Sequence, residues 1–150
     1  MSRVETSALW DALARARTFT GQCHRLPLRL LVAVAVTFGV TVVGSLLTLT
    51  SGDYGPKGTD ATGVVWGFGG IVAVLLLAAV VAHGVRTLVV VVGGLGVVNE
   101  LFARGEAGAP DTERELHAAR TQLRERGLPA AALWIVLGLV AIGKVVALTV

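Results

Sequence analysis

Apolar residues gather in four long stretches, 28–49, 63–82, 87–103 and 130–150, and polar residues are confined almost wholly to the segments between them. An α-helix needs about 20 apolar residues to cross about 30 Å of hydrocarbon, so three of the stretches are long enough and the third in order is close to the lower limit. The pattern predicts an all-α integral membrane bundle with four transmembrane helices. The alternative is three such helices plus a re-entrant segment at 87–103. Residues 30–36 and 72–82 are apolar all the way round, which suits lipid or a larger protein and not water.

Two segments carry the alternation of a half-buried helix instead. Residues 2–20 begin with the capping box Ser2-Arg3-Val4-Glu5, and Leu9, Ala12, Leu13, Ala16 and Phe19 recur at helical spacing. With Trp10 and Phe19 suited to headgroups and Arg15 and Arg17 to anionic lipid, this arm is expected to lie on the membrane as an amphipathic helix, or else to contact another subunit. Thr112-Glu113-Arg114-Glu115 opens a second surface helix over 112–126, with Leu116, Ala119 and Leu123 on one face and Gly127 and Pro129 as its stop. The expected division is an N-terminal arm over 1–27 and a single transmembrane domain over 28–150, containing a polar loop with a surface helix at 104–129.

Composition agrees with the pattern. Of 150 residues, 54% are hydrophobic and 15% charged, too few polar side chains for a soluble domain of this length. Arginine outnumbers lysine eleven to two, and Ala, Gly and Val crowd out Ile, a bias typical of a GC-rich prokaryotic genome. Cys23 is the single cysteine, so neither an internal disulfide nor a thiolate metal site is possible. Its expected state is an inert thiol, with lipid attachment as the alternative. The stretch 28–49 is too long for a signal-peptide core, and Thr48-Leu49-Thr50 is a poor cleavage site, so a retained anchor is expected.

Charge position bears on topology. Four crossings place six basic residues on each side, whereas three crossings place eleven against one, which the positive-inside rule prefers. Hydropathy favours four, with a tight turn at His83-Gly84-Val85-Arg86 and a cytoplasmic N-terminus. In that arrangement His24, Arg25, Arg29, His83, Arg86 and Lys144 form a basic collar for anionic lipid or a phosphate-bearing ligand. Lys144 is expected to snorkel to the interface.

Small residues mark where helices approach. Ala33, Thr37, Thr41 and Ser45 lie four apart on one ridge, and Gly63, Gly67 and Gly70 open the second stretch with a close-contact spacing. Gly93, Gly94 and Gly96 weaken the third stretch and permit close packing. The run Leu88 to Asn99 is a near miss to a dinucleotide-binding loop, but it lacks the third glycine and no second strand follows. Ser51-Gly52-Asp53-Tyr54-Gly55 is similar in its last residues to a potassium-channel filter, yet Asp replaces the first glycine and no pore helix has room before it. Asp53 and Asp60 are at most loose cation ligands. His117 beside Glu113 leaves metal coordination unfinished.

No nucleophile elbow, carboxylate pair or ligand cluster is present, so neither enzymatic activity nor a cofactor is expected, and nucleic acid is not an expected partner. The expected function is association: a small multi-pass protein of the cell membrane, acting as an accessory subunit or scaffold with other membrane subunits or with itself. The alternative is an oligomeric transporter or channel for a small solute or ion, for which Asn99, Glu100 and Lys144 are the candidate polar groups.

Overall fold

The computed structural model describes residues 3–50 and 56–149, with side chains for 5–50, 63–106 and 108–148. Every described element is a helix, in the order α1 (Arg3–Gln22), α2 (Arg25–Thr50), α3 (Pro56–Ala103), a short 3-10 turn (Glu106–Gly108), α4 (Pro110–Gln122), a π-helical turn (Leu123–Gly127) and α5 (Leu128–Thr149). Three segments, Glu5–Thr50, Gly63–Ala103 and Pro110–Leu148, are long and apolar enough to cross a membrane.

The largest departure from expectation is α3. No turn interrupts it at His83-Gly84-Val85-Arg86, and no re-entrant fold occurs at 87–103: the helix runs unbroken for 48 residues, about 70 Å at 1.5 Å per residue. Its polar break does not end it because Gly84 is the only weak helix former there, at a cost of about 1 kcal/mol, while His83 and Thr87 are buried and held by packing. The loop expected to extend to Thr62 ends earlier, since Pro56 opens α3, where proline's missing N–H costs nothing.

The second departure is at Gly127 and Pro129, which do not stop the chain. Pro129 offers no N–H to the carbonyl of Glu125 and its ring crowds that turn. The helix widens just before it, with the Leu128 N–H donating to the Leu123 carbonyl, and continues into α5. The stop after α3 is a true one: the N–H of Gly105, at φ 72°, donates to the carbonyl of Phe102 at 3.1 Å.

The chain divides into two compact units. One comprises residues 1–26 and 83–134, and thus α1, the second part of α3, α4 and the π turn. Its core is Leu13 and Ala16 of α1, Val91, Val98 and Leu101 of α3, and Leu116, Ala119 and Leu123, all at most 5% exposed. Of the apolar stripe of α1, expected on a membrane surface, Leu13 and Ala16 are buried within the chain and Leu9, Ala12 and Phe19 are half-buried. Arg17 links α1 to α4 by an ion pair to Glu115 at 3.3 Å and a hydrogen bond from its Nε to Gln122 Oε1 at 3.4 Å.

The other unit comprises residues 27–82 and 135–150. Ala73, Leu77 and Val145 are its buried centre, with Leu31, Val34 and Ile142 against them. The ring of Phe38 on α2 meets Trp66 on α3 edge to face at 5.8 Å. Among the described residues its outward side chains are almost all apolar, Val40, Phe68, Leu75 and Val136 being each at least 59% exposed.

Candidate functional site

Where α1 gives way to α2, the break at Cys23 and His24 leaves carbonyls without helical partners. His83, on α3, fills one of these vacancies: its Nε2–H donates to the Cys23 carbonyl at 2.8 Å, and its ring is buried beside Phe19, with centroids 5.8 Å apart. Since a carbonyl only accepts, Nε2 carries the proton. One turn on, the Thr87 hydroxyl donates back to the His83 carbonyl at 2.9 Å. The neighbouring His24 is exposed and accepts at Nδ1 from the indole N–H of Trp134 at 3.2 Å. Cys23 is buried, and desolvation pushes its thiol up, against a smaller lowering by a backbone hydrogen bond.

Beside this junction runs an open groove of about 430 Å³ between α1 and α3. Ala12, Ala16 and Phe19 line one side and Val90, Gly93 and Val97 the other, with the side chains of Arg15 and Arg86 at its margin. The Arg86 guanidinium sits over the Phe19 ring, 5.4 Å from its centroid. An apolar trough flanked by two guanidinium groups has the chemistry to hold an apolar chain that ends in an anion.

The six collar residues are thus not alike. His24, Arg25, His83 and Arg86 belong to the unit built on α1 and α4, but His83 is consumed by the Cys23 carbonyl. Arg29 and Lys144 lie in the other unit, both exposed.

The packing ridge on α2 is partly as expected. Thr41 and Ser45 are buried and Ala33 and Thr37 half-buried, and each hydroxyl bonds its own helix: Thr37 to the Ala33 carbonyl, Thr41 to that of Thr37, and Ser45 to that of Thr41, at 2.8–2.9 Å. They line no polar path. Opposite Thr41 lies Gly69, where any Cβ would overlap the threonine side chain. Gly63, Gly67, Gly93 and Gly96 have nothing within 4 Å of an added Cβ, and Gly70 is half-buried. At Gly94 an added Cβ would come within 3.0 Å of the Ala16 and Leu123 side chains. Three close approaches escaped sequence reasoning: Gly69 against Thr41, Gly127 against Val91 and Thr20, and Gly138 against Val81 and the Leu77 carbonyl.

The remaining candidates are dispersed. Glu100 ion-pairs with Arg104, which also reaches Glu5 at 3.7 Å. His117 lies 3.7 Å from Glu113 with both exposed. Among the described residues no three His, Cys, Asp or Glu side chains gather to hold a metal. The filter-like stretch 51–55 and the side chains of Lys57 and Asp60 lie outside the described residues.

The outer surface of the charged unit is uneven. Its α1 and α4 turn Asp11, Arg15, Glu113, Arg114, His117 and Arg120 outward, whereas α3 turns out Val85, Leu88, Val89 and Val92, exposed by 46, 38, 66 and 56%. An apolar strip on one helix of three is the surface most in need of a partner. Comparison with protein-family models, with curated proteins and with solved structures finds no match to this chain.

Proposed function

We propose that this chain is a multi-pass protein of the cell membrane that crosses the bilayer three times and acts by helix–helix association, as an accessory subunit or scaffold. The crossings are α2, the part of α3 before His83, and α5. The observation that carries the reading is the apolar strip Val85, Leu88, Val89 and Val92 on a unit whose other helices present charge. A membrane protein with a water-facing apolar strip keeps it for another protein.

Three crossings also sort the charges. All eleven arginines fall on the side of α1 and α4, and Lys57 and Lys144 on the other. The positive-inside rule then assigns α1 and α4 to the cytoplasm. Anionic lipid is a second partner of this reading, favoured by Arg15 and Arg86 beside the apolar groove. Transport has less support, because Glu100 is paired with Arg104 and the α2 hydroxyls are turned to their own backbone.

The test is extraction in mild detergent followed by mass determination of the protein component. The reading expects either a second membrane protein in fixed stoichiometry or more than one copy of this chain. A single unaccompanied chain overturns it, as does solubility in plain buffer.

A further inference from the structure

The inner face of α3 follows a strict alternation of four and three residues: Ala73, Leu77 and Val80, then Gly84, Thr87, Val91, Gly94, Val98 and Leu101, all buried. Packing at this 3.5-residue period holds the opposite face in phase as well. That face, in the charged unit, is Val85, Val89, Val92, Gly96 and Asn99, all exposed. The same spacing runs back along the helix through Val64, Phe68, Ile71, Leu75, Ala78 and Ala82, also all exposed. Regular exposure follows from the inner packing. That ten of eleven outward positions are apolar does not.

We propose that this outward face of α3 pairs with the same face of a second copy of the chain, giving a parallel two-fold dimer along a heptad seam. The proposal rests on the association reading and names its partner. Lipid alone does not account for the seam: from Val64 to Asn99 it runs about 53 Å, against about 30 Å of hydrocarbon. The excess lies beside the charges of α1 and α4, among them Asp11, Glu113, Arg114 and Arg120, which exclude a hydrocarbon surrounding.

An occupant must therefore be a helix that stays apolar through lipid and beyond it, and α3 itself has that property. Two copies inserted the same way bring their α3 helices together in parallel, around an axis along the membrane normal. Ala78, Ala82 and Gly96 permit close approach, and nothing lies within 4 Å of a Cβ added at Gly96. Asn99 then meets Asn99 of the second copy at a seam position, where paired amides fix register. A seam about 53 Å long and about 10 Å wide covers about 500 Å² on each copy, about 1,000 Å² in all, the lower bound of a specific interface.

The test is oxidative cross-linking in native membranes, using full-length Cys23→Ser protein with single substitutions Val85→Cys, Val89→Cys or Val92→Cys, and Ala118→Cys on α4 as an exposed control. The proposal expects disulfide-linked homodimers at the three seam positions and not at Ala118. In a Val89→Cys, Val92→Lys double variant the lysine places an unpaired ammonium in the seam, and dimerisation weakens about 100-fold or more. Homodimers of equal yield at Ala118, or a Val92→Lys variant that links as well as its parent, overturn the proposal. Adducts with a different protein at the seam positions overturn it while leaving the association reading intact. No adduct at any position, together with a single-chain mass in detergent, overturns both.

Discussion

The imidazole of His83 and the carbonyl of Cys23 are joined at 2.8 Å across sixty positions of sequence, so a helix that continues holds together one that breaks. The bond accounts for a buried histidine in the middle of α3. Its ring satisfies a backbone group that no water reaches, and a purely apolar residue at position 83 leaves that oxygen orphaned.

His83→Leu is therefore expected to destabilise the protein by about 1–3 kcal/mol, the cost of an unsatisfied buried acceptor. His83→Gln keeps an N–H donor on a side chain of similar reach and is expected to lose less. Thermal unfolding in detergent, followed by circular dichroism, measures both. Equal losses for the two variants remove the hydrogen bond as the cause.

Glycines separate into those that touch and those that do not. At Gly138 an added Cβ overlaps Val81 and comes within 3.4 Å of the Leu77 carbonyl, a backbone atom that cannot turn away. Gly138→Ala is expected to cost about 1–3 kcal/mol through overpacking. Gly39 has nothing within 4 Å, so Gly39→Ala is expected to be neutral or to stabilise by up to about 1 kcal/mol through helix propensity. The same unfolding measurement ranks the pair, and a reversed order removes close packing as the explanation.

The apolar stretches at 28–49, 63–82 and 130–150 were legible as helices because length and hydrophobicity leave no other backbone structure in lipid. The helical α1 and α4 were legible from their spacing, but not from capping: α4 opens at Pro110 behind Ala109, two residues before Thr112, with no side-chain cap hydrogen bond, and Ser2 lies outside the described residues. What misled was punctuation: His83 to Arg86 and Gly127 with Pro129 look like breaks when each residue is weighed alone. The missed signal was phase. Leu77, Val80, Gly84, Thr87 and Val91 keep one alternation of four and three straight through the supposed turn, and a turn would have reset it. Gly63 and Gly67 have nothing within 4 Å of an added Cβ in this chain, and glycine spacing says that a helix is able to approach, not what it approaches. The link from His83 to Cys23 had no signal, since a contact over sixty positions between an imidazole and a carbonyl leaves no pattern in one sequence.

Cys23 is buried, and desolvation pushes its thiol above the ordinary range, so less of the nucleophilic thiolate exists near neutral pH. Native protein is expected to react slowly with a maleimide at pH 7, and faster as pH rises toward and past the ordinary thiol range. Unfolding in SDS removes both burial and shift and is expected to give rapid labelling at once. Intact mass before and after labelling follows the reaction. Rapid labelling of the native form, or an acyl chain already on Cys23, contradicts the inert-thiol reading.

Topology turns on whether position 86 shares a side of the membrane with position 114 or is opposed to it. A turn at His83 to Arg86 followed by a fourth crossing would place Arg86 and Arg114 on opposite sides. The continuous α3, the glycine stop at Gly105 and the return through α4 instead keep both in the unit formed with α1. Both side chains are exposed and outside the core of Leu13, Val91, Leu116 and Leu123, so single cysteines there in a Cys23→Ser background leave that core in place. With a membrane-impermeant thiol reagent on sealed inverted vesicles, Arg86→Cys and Arg114→Cys are expected to label together and Ser51→Cys only after the membrane is opened. In the proposed three crossings eleven arginines fall on one side and two lysines on the other, and the positive-inside rule then expects the arginine side to be cytoplasmic. Labelling of position 114 with position 51, and not with position 86, restores the fourth crossing. It also places the outward residues Val89 and Val92 in lipid and removes the water-facing strip on which association depends.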